Sequence, residues 1–124
     1  MNAQLQVSGD ARVQIEVAHL RRALINLLSN AVQHTGAGQV IEVRIEVEAH
    51  QVSIGVANPG SPIASEHLPR LFERFYRVDA SRSNSGNNHG LGLAIVKAIA
   101  LMHGGSVFAR SQAGANTFGI VLPA

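Results

Sequence analysis

The segment from Val40 to Glu48 alternates between apolar and polar residues from Ile41 onward, and this pattern constrains the fold more than any other in the chain. Its apolar positions are Ile41, Val43, Ile45 and Val47. Because successive side chains of a strand point to opposite faces of a sheet, the pattern predicts a strand with one face on the core and one in water. After a turn at His50-Gln51, the segment Val52 to Ala57 predicts the antiparallel partner strand.

The stretch from Leu20 to Thr35 has the periodicity of a helix. At about 100° per residue, an apolar stripe forms from Leu20, Leu24, Leu27 and Ala31, with Leu28 at its edge. Asn26 and Asn30 are one turn apart, and Gln33 follows them on the same neighbouring face. Asn is a poor helix former, so each costs roughly a few tenths of a kcal/mol here. Either these are surface amides placed by chance, or their oxygens hold a hard cation such as Mg²⁺.

The remaining elements complete a pattern of strands and two helices. The first helix is expected to begin near Val17, with Gly36 as its C-terminal cap. The second starts at Gly90-Leu91-Gly92 and stops at His103-Gly104-Gly105. Further strands are predicted at Gln4–Val7, Arg12–Ile15, Ser106–Ser111 and Asn116–Leu122, the last two forming a hairpin around Gly114. This order predicts an α+β fold, a two-layer α/β sandwich with both helices on one face of a mixed, mostly antiparallel sheet.

Composition excludes several classes of function. A chain of 124 residues forms one domain, and the lack of cysteine excludes disulfides, thiolate catalysis and Cys-ligated metals. A net charge of +2 with scattered arginines argues against nucleic-acid binding. No two of the six histidines lie closer than 14 positions, so the sequence has no local pair with metal-ligand spacing. No apolar run approaches the roughly 18 residues of a membrane-spanning helix, so none is expected.

Three segments between the predicted elements are candidates for binding. The first, Asn58-Pro59-Gly60-Ser61-Pro62, fixes a bent backbone at a strand end, either as a rigid turn or as a binding loop. The second is the long irregular segment from about 64 to 89, expected to be a lid with Phe72 and Phe75 as apolar anchors. Its arginines at 70, 74, 77 and 82 suit an anion, although solvated arginines are common. The third is the glycine-flanked helix start at 90–92, whose free N–H groups suit a phosphate.

Four motifs in this order resemble the ATP-binding catalytic domain of bacterial sensor histidine kinases, a fold shared with gyrase, Hsp90 and MutL. They are NLLSNAVQHT, NPGSPI, LPRLFERFYRVDASR and GLGLAIVKAIALMHGG, and they cover most of residues 20–105. The second and third motifs look most like the heavy-metal branch, the copper and silver sensor kinases.

The resemblance implies a set of ligands for ATP and Mg²⁺. It implies that Asn30 holds Mg²⁺ against the phosphates with support from Asn26, and that His34 lies along the adenine. Asn58 would accept from the adenine amino group, and Gly60 and Ile63 would continue that wall. Phosphate contacts are implied for Arg77, Arg82, Gly90, Leu91 and Gly92, and Thr117 matches a threonine near the adenine-binding acid.

Three positions depart from the family pattern. Asn58 replaces the usual Asp, so its hydrogen bond to an amino group should weaken from about 1.5–3 kcal/mol toward about 1 kcal/mol. Pro62 replaces a glycine and stiffens the loop. Asn87-Asn88-His89 replaces a glycine-rich approach to the second helix.

One position favours a kinase over an ATPase. Hydrolytic members of the fold carry a Glu one turn before the Mg²⁺-binding Asn, as a base for water, and here that position is Asn26, which cannot accept a proton. The resemblance further implies a phosphoacceptor His on a separate dimerisation domain, a response-regulator partner, and a cytoplasmic location within a membrane-bound homodimer of which residues 1–124 are the monomeric catalytic domain. The alternatives are a nucleotide-binding regulatory module without catalysis, an ATPase of the same fold, and direct metal sensing by the histidines.

Overall fold

The protein is described from a computed structural model, which covers residues 4–8, 15–36, 38–74 and 91–123. The helices are α1 (Val17–Gln33) and α2 (Gly92–Met102), with one turn of 3-10 helix at Leu68–Arg70. The strands are β1 (Gln4–Ser8), β2 (Val40–Glu48), β3 (Gln51–Pro59), β4 (Ser106–Gln112) and β5 (Ala115–Pro123). The predicted strand at Arg12–Ile15 lies outside the described residues except for Ile15, which is not in a strand.

The strands form one mixed sheet in the order β1-β2-β3-β5-β4. β1 pairs parallel with β2, and every other pairing is antiparallel. Both helices contact the same face of the sheet, α1 through β3 and α2 through β4 and β5. The α+β fold predicted from the order of elements is therefore confirmed.

The core lies between the two helices and the inner face of the sheet. The alternation predicted for β2 and β3 is confirmed for Ile41, Val43, Val52, Ile54 and Val56, which are buried in the core. It is wrong at the end of β2, where Ile45 is only half-buried and Val47 is 58% exposed. Helix α1 contributes Ala23, Leu27 and Ala31, and helix α2 contributes Val96, Ile99 and Ala100. These apolar side chains interlock α1, α2 and the central strands, and this burial is the main driving force for the fold.

The C-termini of the two helices are capped in different ways. Helix α2 ends as predicted, at Gly104 with φ +77°, where the N–H of Gly105 donates to Ala100 O at 2.8 Å in a Schellman arrangement. Helix α1 does not use Gly36, which keeps an ordinary negative φ, so the predicted glycine cap is wrong. Its last turn is closed instead by the buried hydroxyl of Thr35, which donates to Ala31 O at 2.6 Å.

The predicted lid is described only in its first part. Phe72 is 4% exposed and packs edge-to-face on Phe118 with ring centroids 6.4 Å apart, so its predicted role as an apolar anchor is confirmed. Phe75 and the remainder of the segment to residue 89 lie outside the described residues. Within the described ranges, no helix has the length and apolar character needed to cross a bilayer.

Candidate functional site

Several strands and both helices begin or end at the same edge of the domain, which lies across the strand ends and is not an edge strand of the sheet. The register joins Glu42 near the start of β2 to Ala57 near the end of β3, and it joins Pro59 to Ala115 beside the β4–β5 turn. Helix α1 ends at this edge, because a short loop leads from it to β2. Helix α2 begins at this edge, because its end leads to the start of β4 on the opposite side. We call it the Asn58 edge, and it holds the predicted binding loop.

Asn58 has a buried acceptor without a partner. Its side chain is 2% exposed and points to the helix side of the sheet, next to Val56 in the same strand. Its amide nitrogen donates to Pro59 O at 2.9 Å, whereas its Oδ1 is buried and has no hydrogen-bond partner among the described residues. The Pro59 carbonyl fixes the orientation of the amide, since a flipped amide would face oxygen to oxygen. Asn58 therefore presents an acceptor to any group that enters the edge.

Asn30 is the second buried amide with an unused group at this edge. It is 7% exposed, deeper than the rim position that the helical pattern suggested, and its Nδ2 is buried without a partner in the described part of the chain. A half-turn of the amide exchanges this nitrogen for the oxygen, which is a group that Mg²⁺ accepts. The side chain therefore fits a hard cation as well as a hydrogen-bond acceptor.

Asn26 and His34 make hydrogen bonds on either side of Asn30 in α1. Asn26 Nδ2 donates to Gly92 O at 3.2 Å, which ties α1 to the first residue of α2 and leaves the amide oxygen of Asn26 outside that bond. The exposed ring of His34 contacts Asn30 O through Nδ1 at 2.8 Å. Because a carbonyl only accepts, His34 carries its proton on Nδ1 in this contact. This contact holds the ring beside the last turn of α1.

The start of α2 has the properties of an anion seat. Leu91 is its N-cap, no side chain of the described ranges caps it, and the first turn contains no acidic residue. The first backbone N–H groups of an α-helix have no partner within the helix, and the helix dipole makes this end positive. The described part of the predicted seat, Leu91 and Gly92, therefore offers donors and a favourable potential to a phosphate.

Residues of the β4–β5 hairpin complete the edge, and the sequence reasoning missed them. Asn116 is 7% exposed, its Nδ2 donates to Ser61 O at 3.0 Å, and its Oδ1 accepts from Ser111 Oγ at 2.6 Å. The same Ser111 Oγ accepts from the N–H of Ile63 at 2.9 Å. The signal that could have found them is a polar residue in the inward row of a strand, since Ser111 follows Val107 and Ala109 at two-residue spacing and Asn116 precedes Phe118 and Ile120 in the same way.

Thr117 does not lie with Asn58. It follows Asn116 in β5, so its side chain points to the opposite face of the sheet, where its Cγ2 approaches Gly55. There it lines a shallow cavity of about 220 Å³ with Arg110 and Phe108. The expectation that Thr117 stands near Asn58 is therefore corrected, because the two-residue period of the strand places Asn116, and not Thr117, on the face of Asn58.

Several predicted residues are not placed. Arg77, Arg82 and Gly90 lie outside the described residues, so their predicted phosphate contacts remain predictions. Gly60 and Ile63 do lie at the edge, on the loop that follows Asn58. A Cβ added to Gly60 would come within 2.9 Å of Asn116 Nδ2, so this loop needs glycine for close packing.

A larger groove lies elsewhere and has different chemistry. It measures about 480 Å³ and runs between the 3-10 turn, α2 and β4, with apolar walls such as Leu68, Phe72 and Leu101 and one charged residue, Lys97. The buried atoms without partners that the described residues contain do not include any from this groove. Volume alone favours the groove, but the unsatisfied amides favour the Asn58 edge, and a polar ligand is selected by its polar partners.

The histidines do not form a metal centre in the described part of the chain. No group of three or more His, Cys, Asp or Glu side chains is arranged there to hold an ion. His19 and His103 stack edge-to-face with ring centroids 5.4 Å apart, and His103 Nδ1 contacts Ile99 O at 2.9 Å. The alternative in which histidines of this domain sense a metal therefore has no support from the described geometry.

Comparison with known proteins gives consistent matches over nearly the whole chain. The family model for "Histidine kinase-, DNA gyrase B-, and HSP90-like ATPase" matches residues 15–124. Sensor histidine kinase CusS of Escherichia coli K12 is 53% identical over 119 residues, which are 96% of this chain and 24% of that protein. The chain thus spans about a quarter of the length of the curated relatives that it matches.

Two solved structures extend the comparison to three dimensions. The nucleotide-free catalytic domain of histidine kinase ThkA has a TM-score of 0.80 at 27% identity, covering 98% of this chain and 78% of its own. Full-length ShkA in complex with AMPPNP has a TM-score of 0.78 at 27% identity, covering 98% of this chain and 25% of its own.

Proposed function

This chain belongs to the family of histidine kinase-, DNA gyrase B- and HSP90-like ATPases, and from that premise we propose that it binds Mg-ATP at the Asn58 edge and transfers the γ-phosphoryl group to a histidine of a separate dimerisation domain. The resemblance to sensor histidine kinases that four sequence motifs indicated is confirmed. The similarity to the heavy-metal branch of these kinases, to which CusS belongs, is also confirmed.

The observation that carries the proposal is the Oδ1 of Asn58, which is buried and has no hydrogen-bond partner within the described part of the chain. A buried acceptor without a donor costs about 1–3 kcal/mol, so a ligand that supplies the donor recovers this energy on binding. The exocyclic amino group of adenine is such a donor. Gly60 and Ile63 lie on the loop beside it, and His34 lies at the end of α1, in agreement with an adenine pocket at this edge.

The phosphate end of the nucleotide is assigned to the helices. The uncapped start of α2 at Leu91 and Gly92 offers backbone donors, and Asn30 offers an amide oxygen to the cation. When bound, Mg²⁺ supplies positive charge that neutralises the phosphate oxygens during transfer. By resemblance, Gly90 continues the helix-start seat, and Arg77 and Arg82 reach the phosphates from the lid of residues 64–89.

In the proposed reaction the chain positions the nucleotide and stabilises spreading negative charge. The bond from the γ-phosphorus to the bridging oxygen breaks, a bond to the acceptor imidazole nitrogen forms, ADP leaves, and the imidazole loses a proton to solvent. No side chain of this domain needs to form a covalent bond, since phosphoryl transfer relies mainly on positioning and electrostatics.

Asn26 is assigned the role of restraining hydrolysis. Its amide cannot accept a proton from water, and its Nδ2 donates to Gly92 O, where it supports the helix start. The general base that an ATPase of this fold needs to activate water is therefore absent at position 26, which disfavours the ATPase alternative. A regulatory module without catalysis is the second candidate, and the uncharged Asn58 at the adenine position is the observation that favours it.

For the longer protein we propose the organisation of a sensor kinase. Residues 1–124 form the catalytic and ATP-binding domain, a monomer by itself and cytoplasmic, within a membrane-bound homodimer that responds to a metal and phosphorylates a response regulator. The similarity to CusS supports this organisation.

The experiment is transfer from radiolabelled Mg-ATP to the purified dimerisation domain of the CusS relative, which is added as a separate chain. We expect label on the acceptor domain that depends on Mg²⁺ and is lost in the Asn30→Ala variant. Binding of nucleotide without any transfer would favour the regulatory module, and rapid release of inorganic phosphate by the chain alone would favour an ATPase.

A further inference from the structure

We propose that Ser111 and Asn116 are positioning residues that hold the nucleotide-binding loop in place from the β4–β5 hairpin. The inference rests on the proposed function, because the loop at residues 59–63 is assigned there to the adenine. The inference assigns a role to two residues that lie some fifty positions after the loop in sequence, and that contact the loop rather than the nucleotide.

The hairpin makes three hydrogen bonds to the loop, and each fixes a different point of it. The N–H of Gly60 donates to Gly114 O at 3.1 Å, at the tip of the hairpin. Asn116 Nδ2 donates to Ser61 O at 3.0 Å. The N–H of Ile63 donates to Ser111 Oγ at 2.9 Å. Because the bonds engage residues 60, 61 and 63, they define the loop's path rather than only its end.

The two side chains act as one unit. Ser111 Oγ donates to Asn116 Oδ1 at 2.6 Å, and this bond orients the Asn116 amide so that its nitrogen, not its oxygen, faces Ser61 O. The Ser111 oxygen stays available to accept from Ile63. A single hydroxyl therefore sets both contacts, and its loss affects both.

The same unit adjoins Asn58 directly. The register places Ser111, Asn116 and Asn58 in one row across β4, β5 and β3, all on the helix side. Gly60 packs between Asn116 and Asn58, since a Cβ there would lie 2.9 Å from Asn116 Nδ2 and 3.5 Å from Asn58 Nδ2. A shift of Asn116 would therefore move Gly60 and alter the surroundings of the unpartnered acceptor of Asn58.

The test compares three variants of the chain by calorimetric titration with Mg-ADP and with the ATP analogue Mg-AMPPNP. Ser111→Ala removes the hydroxyl, Ser111→Thr keeps it, and Ser53→Ala is the matched control on the outer side of the sheet. We expect Ser111→Ala to weaken the binding of both nucleotides about fivefold to tenfold, because it removes both hydrogen bonds of the Ser111 hydroxyl and the loosened loop must then be ordered when the nucleotide binds. We expect Ser111→Thr and Ser53→Ala to bind as the unchanged chain does.

Two further readouts separate positioning from general destabilisation. The ratio of the two dissociation constants should stay constant in Ser111→Ala, because the loop serves the base and not the γ-phosphate. Hydrogen exchange without nucleotide should speed up at the amides of Gly60 and Ile63 and stay unchanged at the central strand amides of Ile54 and Ile120, which are distant from the loop.

The outcomes are distinguishable. If the unchanged chain binds nucleotide and Ser111→Ala binds equally well, the inference is overturned and the proposed function stands. If Ser111→Thr is as weak as Ser111→Ala, the hydroxyl is not the cause and the inference is also overturned. If the unchanged chain binds neither nucleotide, both the inference and the proposed function are overturned.

Discussion

Two asparagines that are neighbours in the sheet should differ sharply in what their removal costs. Asn58 and Asn116 pair across β3 and β5, and both are more than 90% buried. Asn58 Oδ1 has no partner among the residues that the structure describes, whereas Asn116 uses both ends of its amide. A residue kept for a ligand is expected to contribute little to stability without that ligand.

For Asn58→Ala, the gains and losses in the free energy of unfolding nearly cancel. Replacing Asn58 with Ala removes a buried unsatisfied acceptor, a gain of about 1–3 kcal/mol, and loses the bond to Pro59 O, a cost of about 1 kcal/mol. The smaller side chain also leaves a small cavity, which adds to the cost. We therefore expect the free energy of unfolding of Asn58→Ala to lie within about 1 kcal/mol of the unchanged chain.

For Asn116→Ala, all the changes lower the free energy of unfolding, so their effects add. Asn116→Ala loses two hydrogen bonds of about 1 kcal/mol each, leaves Ser111 and Ser61 O without their partner, and opens a cavity at a buried site. We expect a loss of at least about 2 kcal/mol in the free energy of unfolding.

Urea unfolding followed by circular dichroism measures both variants, since the chain has no Trp for fluorescence. Nucleotide is absent from the urea titration, and calorimetry with Mg-ADP afterwards should show that Asn58→Ala binds at least about fivefold more weakly than the unchanged chain. A loss of 2 kcal/mol or more at Asn58, or equal losses at the two positions, would refute the reasoning.

Three other changes have defined outcomes. Asn30→Ala should leave the circular dichroism spectrum intact but remove the difference in nucleotide affinity between Mg²⁺ and EDTA solutions; an unchanged Mg²⁺ effect would remove Asn30 from the cation site. Inosine triphosphate, which carries an oxo group where adenine has the amino group, should bind at least about tenfold more weakly than ATP, because two acceptors would meet at Asn58 Oδ1. Equal affinity in a competition titration would mean that Asn58 does not read the base. Gly60→Ala should weaken the binding of Mg-ADP several-fold by calorimetry, since the new Cβ would press on Asn116 Nδ2, whereas Ser53→Ala, on the outer side of the sheet, should not change binding.

Much of the fold followed from short-range patterns. The period of two in β2 and β3 predicted which residues face the core, and the glycines after α2 predicted its end, because both features act within a few residues. The end of α1 was predicted wrongly, since a glycine signal competed with a side-chain hydroxyl. Thr35 satisfies Ala31 O and leaves Gly36 free of the left-handed conformation.

The site was predicted less completely than the fold. Asn30 could be singled out because it lies one turn from Asn26 beside an apolar stripe, and Asn58 because it opens a loop rich in Pro and Gly and matches a family motif. The roles of Ser111 and Asn116 depend on a register between strands that are separated by a helix and a long loop, and no local pattern encodes that register. Thr117 was misplaced for a related reason, because a shift of one residue along a strand reverses the face.

The most direct test of the central claim is a heteronuclear NMR titration of the isotopically labelled chain with Mg-AMPPNP. If the nucleotide binds at the Asn58 edge, the largest amide shifts will fall on residues near Asn30, Asn58, Gly60 and Leu91, and the side-chain NH₂ signal of Asn30 will respond only when Mg²⁺ is present. Saturable shifts confined to the groove beside Phe72 and Lys97, with those at the Asn58 edge unchanged, would contradict the account.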